Sequence, residues 1–389
     1  MKERRLELAD VFRTHQHDFL ARWNSVLSRQ QRKALRDIRD CRTAVLGGHL
    51  YECDRCGHRV KVFNSCRNRS CPKCQATARA KWLAEREAEL LPVPYFHVVF
   101  TLPQQIGRLA LQNQKQIYSI LFQTAAETLL TIAADPRHLG ASIGFLAVLH
   151  TWGQNLHLHP HLHCVVPGGG FSPDGSRWIA CRKDSFFLPY KVLSRLFRKL
   201  FLVSLGKAFR KGQLHLSGEL RDLAKPAAFQ ALCETAANLE WVVHVKPPFG
   251  GPRRVLKYLA RYTHRVAISN HRLRTLENGR VSFDWKDYAD HSRNKTMTLD
   301  AVEFIRRFLL HVLPSGLVRI RHFGFLANRV RREKLIQCRA LLAGSQPPIP
   351  IDSDSTSVED PHCCPICKLG RLIIIELLGA EAAAIQDSS

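Results

Sequence analysis

The chain has 389 residues, 45% hydrophobic and 8% aromatic, with 58 Lys and Arg against 33 Asp and Glu, a formal net charge of +25. That is enough apolar material for a real core in about two to four domains, which excludes wholesale disorder. So large a charge is silent about fold and points to a polyanionic partner, of which nucleic acid is the commonest. There is no run of about 18 apolar residues, so neither a membrane span nor a membrane partner is expected. Met1-Lys2-Glu3-Arg4-Arg5 lacks the apolar core of a signal peptide. The 13 cysteines then read as thiols in a reducing, cytoplasmic compartment.

In chain order, residues 1–45 read as helical with a basic surface, 49–76 as cysteine-rich turns, and 77–91 as a helix rich in Ala, Glu and Leu. Phe96 to Phe100 reads as a strand and about 104–134 as a helix. Ile143 to Trp152 and His159 to Pro167 read as two strands, the second ended by Gly168-Gly169-Gly170. Helical patterns follow near 190–211 and 224–239, then a short strand from Trp241 to Val245. Proline-marked turns introduce a helix over about 252–264. Residues 266–288 predict a hairpin turning at Glu277-Asn278-Gly279, and 299–313 a further helix. Arg319 to His322 alternates like a strand with a basic face. The mixture predicts an α+β protein around a largely antiparallel sheet. The expected domains are a helical and cysteine-rich domain over 1–91 and a mixed strand-and-helix domain with a basic C-terminal part over 92–343. A linker over 344–361 and a cysteine-containing tail over 362–389 complete the chain.

Three groups of residues carry chemistry. Cys53-x2-Cys56 and Cys71-x2-Cys74 are two thiol knuckles with 14 residues between them, the pattern of a structural Zn²⁺ site. Cys66 is a spare fifth thiol, and His49 and His58 are weaker candidates. Lys61, Arg67, Arg69, Lys73 and Arg79 surround the pairs, and a basic zinc module of this kind most often grips nucleic acid. The tail's Cys364-x2-Cys367 is one more knuckle in want of partners, with Cys363, His362 and Cys338 as candidates.

Within residues 150–164, His157, His159, His161 and His163 alternate. On a strand, residues two apart share a face, so His161 and His163 present two imidazoles together while Leu162 turns into the core. Imidazoles suit divalent metals, and two from one strand leave positions open for substrate. Pro160 is expected to disturb the ladder between the two histidine pairs. A structural zinc is the plainer alternative.

Tyr258 and Tyr262 lie four apart on the predicted helix and therefore on one face, ringed by Arg254, Lys257, Arg261 and Arg265. Two aromatics at that spacing usually pack a core. Here the cations and the metal candidate supply what a tyrosine needs to attack a phosphodiester. From 251 to 340 there are 20 Lys and Arg against 7 Asp and Glu, a net of +13 in 90 residues, interleaved with Trp285 and Tyr288. Cations with aromatic platforms suit single strands.

His161-Leu162-His163 resembles the His-hydrophobic-His motif of the HUH endonuclease superfamily, and Tyr258-x3-Tyr262 its two-tyrosine motif. With the cysteine module in front, residues 20–335 resemble the two-tyrosine rolling-circle insertion-sequence transposases of bacteria, the IS-ninety-one type. The resemblance implies an HUH core, an antiparallel sheet with flanking helices, preceded by a small zinc-binding domain. It implies Mg²⁺ or Mn²⁺ on the two histidines and a third ligand. His264 is the first candidate for that ligand, with Gln154 and His159 as rivals. It also implies cleavage and rejoining of single-stranded transposon ends and target DNA through 5′-phosphotyrosine, in a protein associated with the bacterial nucleoid. A zinc-dependent DNA-binding regulator without chemistry, and an HUH replication initiator or relaxase, are the competing readings.

Overall fold

A computed structural model describes residues 5–181, 187–246, 267–287, 290–343 and 362–380. Its strands are β1 Gly48–Cys53, β2 Arg59–Phe63, β3 Tyr95–Thr101, β4 Gly144–Trp152, β5 Leu158–Pro167, β6 Gly169–Phe171 and β7 Trp178–Ala180. They continue with β8 Val243–Lys246, β9 Leu273–Glu277, β10 Arg280–Asp287, β11 Arg293–Asp300, β12 Ile320–Gly324 and β13 Leu372–Leu378. The chain is α+β, with every paired strand antiparallel.

The described residues form two compact units. One comprises 79–246 and 313–343 and is built on a five-stranded sheet in the order β12-β4-β5-β3-β8. Period-two alternation assigns its faces. Phe96, Val98 and Phe100 of β3, Ala147 and Leu149 of β4, and Leu162, Cys164 and Val166 of β5 share one core with the helices Gln114–Ala134 and Tyr190–Arg210. Ile117, Leu121, Leu193, Phe197 and Phe201 are the helices' buried contribution. On the opposite face Tyr95, Leu146, Val148 and Val165 pack with Leu335, Cys338 and Leu342 of helix Arg331–Ala343. Further along that second face the same alternation places histidines. The β4–β5 ladder shifts between His150 and Trp152, opposite the Pro160 region, where the ring was expected to disturb pairing. Helix Gln114–Ala134 is long and apolar enough to cross a membrane, although the sequence has no unbroken apolar run; two-thirds of its most apolar window is buried. On β12, Arg321 is half-buried over the Phe122 ring, 4.2 Å from its centroid, so the expected basic face there is partly packed away.

The other unit gathers residues 5–78, 267–312 and 362–380. These boundaries differ from those expected, because residues 267–312 cluster with the N-terminal segment and not with 79–246. Helix Ala301–Leu310 is the reason. It buries Phe304, Ile305, Phe308 and Leu309, and Phe308 meets Phe12 edge to face at 5.6 Å. Gln31 Nε2 donates to the Leu309 carbonyl at 3.0 Å, and Leu8 N–H to Asn270 Oδ1 at 3.2 Å. The predicted hairpin is present as β9 and β10, with Asn278 and Gly279 both at positive φ, 50° and 70°, as a two-residue turn of type I′ needs. β11 was not foreseen; Arg293–Asp300 is polar and mostly exposed, so it lacks an apolar face to read. Phe308→Ala is expected to cost about 3–5 kcal/mol, since it opens a cavity in a core whose aromatic side is 1% exposed. Urea denaturation followed by the unit's tryptophan fluorescence checks this, and a loss below about 1 kcal/mol would contradict the packing.

Candidate functional site

β4, β5 and β3 lie side by side, and their second face holds the histidines. His150 of β4 is directly opposite His161 of β5, and His163 is opposite Val148 on one side and Val99 of β3 on the other. His150, His161 and His163 each offer a ring nitrogen within 4.8 Å of the others. Their ring centroids are 5.4 Å (150–161), 4.5 Å (150–163) and 4.8 Å (161–163) apart. Two of the expected residues, His161 and His163, are thus brought together, and the third corner is His150. Of the rivals, His159 meets this group through its carbonyl, which accepts from His161, and its ring is not one of the three. His264 lies outside the described residues. The signal for His150 was its place at the end of an all-buried strand. Only the pairing of that strand with β5 made it useful.

The tautomers follow from the neighbours. His161 Nδ1 donates to the His159 carbonyl at 2.6 Å, which leaves the Nε2 lone pair for a cation. His163 Nδ1 is 2.8 Å from His97 Nε2, and the two rings are nearly parallel, 7° apart, with centroids 5.0 Å from each other. With His163 as donor, its Nε2 is likewise left as the ligand atom. Such outer bonds orient imidazoles that bind metals. Burial, ahead of the neighbouring positive groups, pushes His161 down to about 4 and His97 to about 3, and holds His163 well below its usual range. The rings are therefore neutral near pH 7 and able to ligate. His97→Ala is expected to weaken divalent-cation affinity roughly 10- to 100-fold while leaving the fold intact. Isothermal titration with Mn²⁺ measures this; unchanged affinity would make His97 a mere core residue.

The cysteines are grouped differently from the expectation. Cys53 and Cys56 do not share a site with Cys71 and Cys74. One group is Cys41, Cys66, Cys71 and Cys74; the other is Cys53, Cys56, Cys364 and Cys367. The hairpin of β1 and β2 carries the first knuckle at its end, whereas the following loop returns Cys66 and Cys71 to the end of helix Arg29–Asp40, where Cys41 is the capping residue. Asn68 shapes that return, accepting from Ser70 N–H at 2.8 Å and donating to Asp37 Oδ2 at 2.8 Å. Cys71 precedes helix Pro72–Glu87 and Cys74 lies in its first turn, where the helix N-terminus favours thiolate. In this first group Cys41–Cys74, Cys66–Cys74 and Cys71–Cys41 sulfurs are each 3.6 Å apart. Hydrogen bonds from the Cys66 and Cys71 thiols draw Cys41 down to about 2, while its neighbours push Cys66 up. Cys66, the spare thiol, is thus a member, and Cys41 was missed because it stands alone, without a partner at knuckle spacing. Tyr258, Tyr262, Arg254, Lys257, Arg261 and Arg265 lie outside the described residues.

Known proteins give these features a context. A family model described as "Transposase zinc-binding domain" matches residues 11–102, and one described as "Putative transposase" matches residues 144–334. "Putative transposase y4qJ" of Sinorhizobium fredii is 56% identical over 381 residues, 95% of each chain. The "Transposase for insertion sequence element IS801" of Pseudomonas savastanoi pv. phaseolicola is 30% identical over 295 residues, 75% of this chain and 68% of that one. Among solved structures, the conjugative relaxase TrwC in complex with OriT DNA is similar at 15% identity and a TM-score of 0.23, over 43% of this chain and 71% of that one.

Proposed function

The chain belongs to the insertion-sequence transposases with an IS91-type zinc-binding domain, and from that premise we propose that it nicks and rejoins single-stranded transposon ends through 5′-phosphotyrosine. The observation that carries the reading is the trio of ring nitrogens of His150, His161 and His163 within 4.8 Å on one face of the sheet. These three would hold a divalent cation, and that cation would polarise the scissile phosphate as a Lewis acid. An all-imidazole set favours Mn²⁺ over the harder Mg²⁺, following ligand softness and the order of first-row affinities. His97 and the His159 carbonyl fix the rings.

The nucleophile is the phenolic oxygen of Tyr258 or Tyr262. Its bond to phosphorus forms as the bond from phosphorus to the 3′ oxygen breaks. The phenol gives up its proton, and the departing 3′ oxygen takes one up as a hydroxyl. The phosphotyrosine conserves the bond energy, so rejoining needs no ATP. The second tyrosine serves the other strand transfer. Arg254, Lys257, Arg261 and Arg265 neutralise strand phosphates, an attraction that salt weakens steeply.

Cys41, Cys66, Cys71 and Cys74 are the proposed ligands of a structural Zn²⁺ in the zinc-binding domain. Four thiolates at about 2.3 Å from zinc form a tetrahedron with edges of about 3.8 Å. The 3.6 Å sulfur separations fit that figure and are far too long for disulfides, which need about 2.05 Å.

The test is incubation of the protein and Mn²⁺ with single-stranded oligonucleotides carrying the ends of its own element. A covalent adduct that survives denaturing electrophoresis is expected. A protein that binds these strands but never forms the adduct is the regulator without chemistry, and the proposal then fails.

A further inference from the structure

The tail knuckle is the strongest feature that the reaction leaves unused. Neither family model reaches it, since their matches end at residues 102 and 334. β13 pairs with β1 from Gly48 opposite Leu378 to Cys53 opposite Leu372, so the tail runs back along the zinc-binding unit's first hairpin. At the end of that pairing Cys53 Sγ is 3.7 Å from Cys367 Sγ, and Cys56 Sγ is 3.7 Å from Cys364 Sγ. All four sulfurs lie within 4.8 Å of one another.

The surroundings are built for thiolates. Gly370 N–H donates to Cys367 Sγ at 3.3 Å, and Cys364 N–H bonds the Gly370 carbonyl at 2.8 Å, closing the turn. Asp54 ties the two knuckles together: its N–H donates to the Arg371 carbonyl at 3.1 Å, and its Oδ1 accepts from Arg371 N–H at 2.8 Å. A side chain at position 370 would collide with Cys53 Sγ and come within 2.6 Å of Asp54 Oδ1, so only glycine permits this approach.

Hydrophobic burial does not explain why the tail holds its place. Of residues 362–380 only Cys364 and Gly370 are buried, and Ile373, Ile374, Ile375 and Leu377 are 44–74% exposed. A strand pairing whose apolar side chains stay exposed gains little from burial and is marginal in water. A metal supplies the missing free energy, as it does in small domains whose folding depends on it. We infer that Cys53, Cys56, Cys364 and Cys367 form a second structural Zn²⁺ site, which clamps the C-terminal tail onto the zinc-binding unit across 308 residues of chain. Each chain therefore carries two zinc ions in two four-cysteine sites, and the zinc-binding unit is completed only by residues 364–378.

The test uses the full chain purified without chelator. Native mass spectrometry is expected to find two zinc ions per chain. The Cys364→Ser, Cys367→Ser variant is expected to retain one, which also shows that the remaining unit has folded. Differential alkylation gives a readout that does not depend on a variant. Cys363 is exposed and belongs to neither group, so it reports free reactivity. Cys56, also exposed, should be protected relative to Cys363 until the metal is removed with a strong chelator. A single zinc in the native chain that the double variant leaves unchanged would overturn the proposal. So would alkylation of Cys56 as fast as that of Cys363 in the metal-loaded protein. Neither result bears on the tyrosine chemistry, so the two readings stand or fall separately.

Discussion

The Tyr258→Phe, Tyr262→Phe double variant is expected to lose the covalent protein–DNA adduct, with cleavage falling on the order of 10³-fold or more. Phenylalanine keeps the ring and its packing while removing only the attacking oxygen. The loss therefore falls on chemistry, and binding of the same oligonucleotide should change less than about threefold. Each single variant should be informative in its own way. If one tyrosine opens the reaction and the other accepts the second transfer, one single variant loses all adduct and the other loses only the joined product. Additivity is not expected, because residues acting as a unit fail together. An adduct that persists in the double variant would place the nucleophile elsewhere and sink the mechanism.

The second large effect belongs to His150. His150→Ala is expected to lower cleavage on the order of 10²-fold or more and to weaken Mn²⁺ binding in parallel, with little effect on DNA affinity. The argument is geometric. Its ring is 4.5 Å from that of His163, and its strand position is directly opposite His161, so it closes a three-nitrogen site that two residues of one strand leave open. His150 is 2% exposed and stacks on Trp152 at 4.8 Å, so alanine also removes packing. His150→Gln, closer in volume, controls for that loss, because its amide is a poor substitute for imidazole while filling the space. His264→Ala provides the contrast. If His264 is the third ligand, as the sequence favoured, its loss should abolish cation binding and that of His150 should not. The opposite pattern is expected.

Much of the fold was legible for local reasons. The strands at Phe96 to Phe100, Ile143 to Trp152 and His159 to Pro167 were readable because they are short, β-rich and bounded by turn residues. The hairpin at Asn278-Gly279 was readable because two consecutive positive φ angles select those residues. β1 and β2 were hidden inside a short cysteine-rich stretch that reads as turns; the β2 burial pattern is mostly exposed. Their order comes from pairing with each other and with β13, which no local period encodes.

The same division runs through the sites. By itself the sequence determined the kinds of chemistry: knuckle spacing marks thiolate ligands, and alternation of His161 and His163 puts two imidazoles on one face. Those are consequences of backbone geometry within a few residues, and they hold wherever the segment lies. Tertiary structure alone decided the partners. It separated Cys53 and Cys56 from Cys71 and Cys74, joined the former to residues more than 300 positions away, and brought His150 across from His161. A metal site is a condition on distances of a few ångströms among side chains, and chain separation does not constrain those distances. Which thiols meet is set by the pairing of β1 with β13 in one group and, in the other, by the return of the loop after β2 to the end of helix Arg29–Asp40.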